Sequence, residues 1–241
     1  MVDQVTDASN SAESATQQRP TPTVQLGRLK LQGVWAILAL LVLLSLVVTL
    51  VIYARPRVTV LVSAGIWLAM DIYWSIAQLK RPQAKSTESP ESRKRHGLLT
   101  TTALLLVFLP FPGLTGRFVP DTLTTALVGL GIQIGFTLFY LFARFYLGRL
   151  WSGAITIMHD HELIQTGPYR FLRHPMYTGM LGMFAGTAIV SGQYHALLGV
   201  AVGALAYARK IRIEDRVLSA EFGPAYETYR KRTAALIPWV L

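Results

Sequence analysis

Cysteine is absent from the 241-residue chain, so neither a disulfide framework nor a thiolate metal site is available. Charge is scarce too. Only 15% of residues are Asp, Glu, Lys or Arg, against roughly 25% in an ordinary soluble domain. The first 25 residues lack the basic start of a cleaved signal peptide and are rich in Ser, Thr, Gln, Asp and Pro. They read as a disordered tail. No arrangement of nucleophile, base and orienting acid suggests a catalytic triad.

What the chain has instead is apolar residues in blocks, 52% of the total, with a mean hydropathy of +0.40. The stretch from Leu31 to Tyr53 runs 23 residues without a charge. As a helix it would be roughly 34 Å long, enough to cross a ~30 Å hydrocarbon layer. The chain therefore reads as an all-α, polytopic membrane protein of about five or six spans. They are expected near 31–53, 58–79, 98–111 and 122–143, with a helical hairpin at 176–190 and 194–208. Pro110 and Pro112 predict a kink or tilt in the third span.

Basic residues orient these spans. With the N-terminus in the cytoplasm, 20 of the 23 Lys and Arg residues fall on the cytoplasmic side. Only Arg55, Arg57 and Arg117 fall opposite, as the positive-inside rule requires. Both termini are thus expected in the cytoplasm. The net charge of +10 serves orientation and lipid headgroups rather than nucleic acid.

Three Gly-x-x-x-Gly pairs, Gly131/Gly135, Gly182/Gly186 and Gly199/Gly203, predict close helix packing in lipid. Gly129-Leu-Gly131 with Gly135 lies inside an apolar helix at the wrong spacing for a dinucleotide loop. Asp71, in Trp67-Leu-Ala-Met-Asp-Ile-Tyr-Trp74, is costly in an apolar span and is a functional candidate for that reason. His159, Asp160, His161 and Glu162 resemble metal ligands, but no third or fourth ligand has a matching spacing, and no metal is expected.

Two polar clusters interrupt the apolar chain. The first, His161 to Tyr177, contains a turn forced by Gly167-Pro168 and a histidine, His174, held off the helical region by Pro175. The second, Arg209 to Arg216, sits on a helix expected to lie along the membrane until Gly223-Pro224 ends it. A short helix carrying Tyr226 and Tyr229 follows. The two clusters read as the halves of one site at the membrane surface.

The ordered set Gly167-Pro-Tyr169, Arg173-His-Pro-x-Tyr-x-Gly179, Glu214-Asp215 and Phe222-Gly-x-x-Tyr226 resembles the isoprenylcysteine carboxyl methyltransferase family, within the wider phospholipid methyltransferase superfamily. The resemblance covers roughly residues 140–241. It implies a membrane enzyme that uses S-adenosyl-L-methionine on a lipophilic acceptor, most simply the carboxylate of a prenylated or isoprenoid substrate. It divides the chain into a tail (1–28), N-terminal spans (29–121) and a methyltransferase core (122–241). By position, the cofactor contacts it implies are His161, Glu162, Leu163, Ile164, Tyr169, His174, Pro175, Met176, Tyr177 and Glu214. Lys210 stands where the family can place a substrate-facing arginine, and Asp215 replaces a second glutamate. No catalytic residue is assigned.

The residue chemistry agrees. A carboxylate at Glu214 can pair with the cofactor's amino group, Arg173 or His174 with its carboxylate, and tyrosine faces with its sulfonium. Rival readings are a phospholipid N-methyltransferase, an NADPH-dependent sterol or enone reductase, and a non-enzymatic membrane protein centred on Asp71.

Overall fold

A computed structural model describes residues 57–79, 84–151, 155–158 and 162–237. The expected first span and tail, together with His159, Asp160 and His161, lie outside the described residues. The architecture is helical, as expected, with one addition: a short antiparallel ribbon pairs β1 (Ala84–Thr87) with β2 (Thr156–Met158).

Helix α1, Val58–Leu79, is mostly apolar and carries one charged residue, Asp71. Helix α2 spans Pro90–Phe108. Its start is written in local chemistry: the Ser89 hydroxyl accepts from the Ser92 N–H at 3.2 Å, Pro90 fills the first turn, and Glu91 faces the positive end of the helix dipole. This corrects the expected span at 98–111. The helix absorbs the polar residues before Leu98, and it ends rather than kinks, because Leu109 turns extended ahead of Pro110.

Helix α3, Leu123–Leu147, is capped by the Thr122 hydroxyl on the Thr125 N–H at 3.1 Å. Helix α4, Pro175–Ser191, ends at Gly192, whose φ of +70° suits glycine. Helix α5, Tyr194–Phe222, runs 29 residues. The expected hairpin arm at 194–208 and the expected surface helix after it are one continuous helix, since nothing between Arg209 and Phe222 breaks it. Gly223, at φ +49°, turns the chain into α6, Pro224–Arg232. By length and composition α1, over Val58–Gln78, and α3 are each sufficient to cross a membrane.

Helices α3 and α4 approach so closely that side chains are excluded. A Cβ on Gly186 would lie 2.5 Å from the Gln133 amide nitrogen and 2.7 Å from the Gly129 carbonyl oxygen. Helices α2 and α5 meet in the same way where Gly199 faces Ala103 and Val107. The expected Gly182/Gly186 and Gly199 contacts therefore exist, and van der Waals packing is the source of affinity between helices in lipid. Gly131 and Gly135 are a correction. Both lie on the exposed face of α3 with open space above them, and Gly129, one turn-face away, makes the packing contact instead.

A buried polar knot ties α1 to this pair. Ser63 Oγ donates to Gln133 Oε1 at 2.6 Å, and Gln133 Nε2 returns a bond to the Ser63 carbonyl at 3.1 Å. Trp67 Nε1 donates to Thr187 Oγ1 at 3.0 Å. Every donor here finds an acceptor, as an apolar surrounding demands. At the opposite end Asp121 joins Arg57 to Arg117, linking the starts of α1 and α3.

The exposed side of α3, with Leu127, Ile134, Leu138, Phe142 and Phe145, is the kind of apolar surface lipid covers. Replacing Gly186 with Val should lower the melting temperature in detergent strongly, through overpacking that costs about 1–3 kcal/mol or more. Replacing Gly131 with Ala should leave it within a degree or two. Equal effects at both positions would refute the assigned packing faces.

Candidate functional site

The site forms where three segments converge: the loop before α4, the middle of α5, and α6. Gly167–Arg170 makes a single 3-10 turn. Gly167 adopts φ +56°, and a Cβ there would collide with the Tyr146 ring at 2.4 Å, so glycine is required on both counts. The turn sends Tyr169 into the core, where its carbonyl accepts the Tyr229 hydroxyl at 2.7 Å. His174 sits at φ −126°, ψ +57°, and Pro175 then starts α4.

His174 is the junction. Its ring is 4% exposed overall and lies between two carboxylates of α5: Nε2 is 2.8 Å from Asp215 Oδ1, and Nδ1 is 3.5 Å from Glu214 Oε2. One turn into α4, the Tyr177 hydroxyl donates to that same Glu214 oxygen at 2.6 Å. The His174 and Tyr177 rings stack with 5.5 Å between centroids. From α6, the Tyr226 hydroxyl donates to Asp215 Oδ1 at 2.5 Å. The two polar clusters expected to meet do meet.

Electrostatics follow from this geometry. Burial by itself lowers the His174 pKa, but bonds and charge from Asp215 and Glu214 outweigh it and raise the value to about 9. Burial pushes Glu214 and Asp215 up, yet both end below their ordinary values because His174 bonds to each, helped by the tyrosine hydroxyls. At neutral pH the junction is an imidazolium between two carboxylates.

The other expected residues distribute as follows. Lys210 is 7% exposed, with its ammonium 5.9 Å from the Tyr177 ring centroid. Pro175 and Met176 are buried under the His174 junction, Ile164 packs against the core, Leu163 is half-buried and Glu162 is exposed. Arg173 is engaged elsewhere. Its guanidinium donates to the carbonyls of Arg230, at 2.9 Å, and Thr233. With backbone bonds from Arg173 to Ala234 and from His174 to Ala235, it straps the segment after α6 against the loop.

Sequence reasoning left out Asp215, Tyr226 and Tyr229 as site residues. Asp215 had a signal, since it adjoins Glu214, and the tyrosines had one in their i, i+3 spacing. Among the described residues no group of three or more potential ligands could hold a metal. Asp71 stands in the middle of α1, away from this junction in sequence and in contacts, and one of its oxygens lacks a hydrogen-bond partner.

Residues 122–225 match the phospholipid methyltransferase family. Curated relatives match part of the chain. The nickel-cobalt-cadmium resistance protein NccN of Alcaligenes xylosoxydans xylosoxydans is 39% identical over 97 residues, covering 38% of this chain and 44% of that protein. The protein-S-isoprenylcysteine O-methyltransferase of Schizosaccharomyces pombe is 34% identical over 82 residues, covering 34% and 35%. The chain thus spans less than half the length of these relatives. The solved structure of a eukaryotic intramembrane Ras methyltransferase, isoprenylcysteine carboxyl methyltransferase, superposes with a TM-score of 0.51 at 17% identity, covering 83% of this chain and 74% of that one. What the two chains share is the helical fold.

A pKa raised from 6.5 to about 9 means that His174 contributes stability in full below pH 6.5 and loses it as pH climbs through 9. The depressed acids lose theirs at the acid end. The melting temperature should therefore fall between about pH 7 and about pH 9.5, and His174→Gln should flatten that limb. A wild-type profile already flat there would argue against a charged imidazole.

Proposed function

We propose that this chain is an S-adenosylmethionine-dependent methyltransferase of the membrane, acting on a lipophilic acceptor. The observation that carries the reading is the contact of Tyr177 with Glu214 at 2.6 Å. It joins the loop's His-Pro-x-Tyr turn to the acid of α5. The family match over residues 122–225 supports it.

The residues fit the cofactor. Glu214 keeps 27% of its side chain accessible while its partner His174 keeps 3%, so the acid, not the imidazole, faces the open side. An accessible carboxylate beside the aromatic rings of Tyr177 and Tyr207, 5.2 Å apart, suits a ligand with two cationic centres. When bound, S-adenosylmethionine supplies a methyl group on a sulfonium, ready for in-line displacement.

Glu214 would hold the amino group. Tyr177 fixes the Glu214 rotamer, and His174 keeps it ionised. Tyr169, Met176 and Pro175, with Leu163 and Ile164 of the loop, would wall the adenosine. Arg173, already strapping the C-terminal segment, orders the loop. Lys210, one turn of α5 before Glu214 and over the Tyr177 ring, would meet the acceptor. Alignment and exclusion of water then supply much of the acceleration. An acceptor carboxylate is ionised near neutral pH and needs no base.

In this reading both termini face the cytoplasm, residues 122–241 form the reacting core, and the acceptor arrives through the bilayer, most simply as a prenylated or isoprenoid carboxylate. Glu214→Gln should weaken S-adenosylmethionine binding about tenfold or more by calorimetry, the loss expected for a charged hydrogen-bonded pair. Membranes containing the protein should transfer labelled methyl into a chloroform-soluble product, and the variant should transfer little. Unchanged affinity in Glu214→Gln would overturn the assignment.

A further inference from the structure

The end of the molecule that holds the His174 junction also carries exposed aromatic rings. Helix α4 packs antiparallel to α3, since Gly179, Gly182 and Gly186 meet Tyr140, Phe136 and Gln133 in turn. The last turns of α3 and the start of α4 therefore stand at one level. No residue from Pro175 to Ser191 is charged, so the apolar layer begins at that level. There α3 exposes Phe142, Phe145 and Tyr146, and the loop before α4 reaches them where Gly167 meets the Tyr146 ring. Aromatic rings at the ends of apolar helices mark the boundary between lipid and water.

Two further apolar side chains share this level. Phe171 is 59% exposed, and the Arg170 guanidinium lies 5.7 Å from its ring centroid. The segment after α6 runs beside it. The Ala234 N–H donates to the Phe171 carbonyl at 3.1 Å, the Ala235 carbonyl accepts the His174 N–H at 3.1 Å, and the Leu236 carbonyl accepts the Thr178 hydroxyl at 2.6 Å. Each step along this segment meets a residue further into α4. It therefore descends along α4 towards the apolar layer, where Ile237 is 57% exposed. Directly before the descent, α6 ends in Arg230, Lys231 and Arg232, all exposed. One acid of α6 offsets them, Glu227, 3.8 Å from Arg230, and Arg232 also bonds Gln165.

Exposed apolar side chains rimmed by cations match a hydrocarbon layer beneath an anionic fringe. Water alone leaves Phe171 and Ile237 unmatched, and neutral headgroups leave the cations unmatched. We propose that Phe171 and Ile237 enter the boundary between headgroups and acyl chains of an anionic leaflet, while Arg170, Arg230 and Lys231 meet its phosphates. The lipid then clamps the segment after α6 against the loop, as Arg173 does through its hydrogen bonds. Closure of this flap over the His174 junction is thereby tied to the charge of the membrane surface. The docking surface is separate from the methyltransferase reading and holds whatever reaction the site performs.

The chain has no cysteine, so one introduced thiol carries a spin label at a known place. In nanodiscs containing about 30% phosphatidylglycerol, labels on Phe171→Cys and Ile237→Cys should be relaxed more by oxygen than by an aqueous nickel chelate. A label on Ala220→Cys should show the reverse, because Ala220 is exposed and about 16 Å beyond Arg209 along α5. In unlabelled protein, the hydrogen-bonded amides of Arg173, His174 and Ala234 should exchange at least fivefold more slowly in these nanodiscs than in pure phosphatidylcholine at about 0.05 M salt. The difference should vanish near 0.5 M, where surface charges are screened within a few ångströms.

Arg170→Gln combined with Arg230→Gln and Lys231→Gln should match wild type in pure phosphatidylcholine and gain nothing from phosphatidylglycerol. Soluble glycerol phosphate added to neutral nanodiscs should protect none of these amides. The proposal is overturned if the labels at Phe171 and Ile237 respond like the one at Ala220, if exchange is indifferent to lipid charge, or if the triple variant keeps the difference. It is overturned equally if glycerol phosphate substitutes for the lipid, which would mean a site for a free anion. None of these readouts uses S-adenosylmethionine, so failure of the protein to bind it would count against the methyltransferase reading alone.

Discussion

One buried imidazole between two carboxylates organises the functional end of this molecule. His174 belongs to the loop before α4, and Glu214 and Asp215 belong to the far half of α5. Their contact is therefore a long-range closure, 40 residues apart in sequence. Burying three ionisable groups together is tolerable only because each satisfies another. Remove the ring and two acids face each other; remove the acids and a histidine is left desolvated. The tyrosines of α4 and α6 complete the set, Tyr177 on Glu214 and Tyr226 on Asp215, so that three segments are referenced to one ring.

The rest of the fold can be read as the scaffold that makes this closure possible. The α3–α4 pair approaches to backbone contact at Gly129 and Gly186, which fixes where α4 begins and hence where His174 and Tyr177 stand. The α2–α5 pair does the same through Gly199 and sets the depth at which Lys210, Glu214 and Asp215 emerge. The α1 helix is fastened by the Ser63, Trp67, Gln133 and Thr187 bonds. Beyond α6, the Arg173 guanidinium and two backbone bonds hold the C-terminal segment over the loop. The site is consequently rigid on three sides. Its accessible element is the Glu214 carboxylate.

Sequence reasoning reached the helical class, the main breaks at Pro and Gly, and the pairing of the two polar clusters, because each rests on local chemistry or on an ordered motif. It failed where local signals were ambiguous. Charges from Arg209 to Arg216 suggested a separate surface helix, yet they continue α5, since charge alone does not break a helix. Gly131 and Gly135 satisfied the small-residue pattern, but a pattern does not say which face of a helix meets a neighbour. Arg173 suggested an anion contact, whereas the folded chain offered it carbonyls.

By itself, then, the sequence determined that this chain is a set of apolar helices with two polar interruptions, because hydropathy, helix caps and Gly-Pro breaks act over a few residues. Only the tertiary structure decided which faces touch and that His174 is shared by both acids rather than paired with one. Those facts depend on distances between segments tens of residues apart, and helix packing in lipid, rather than any local propensity, sets them.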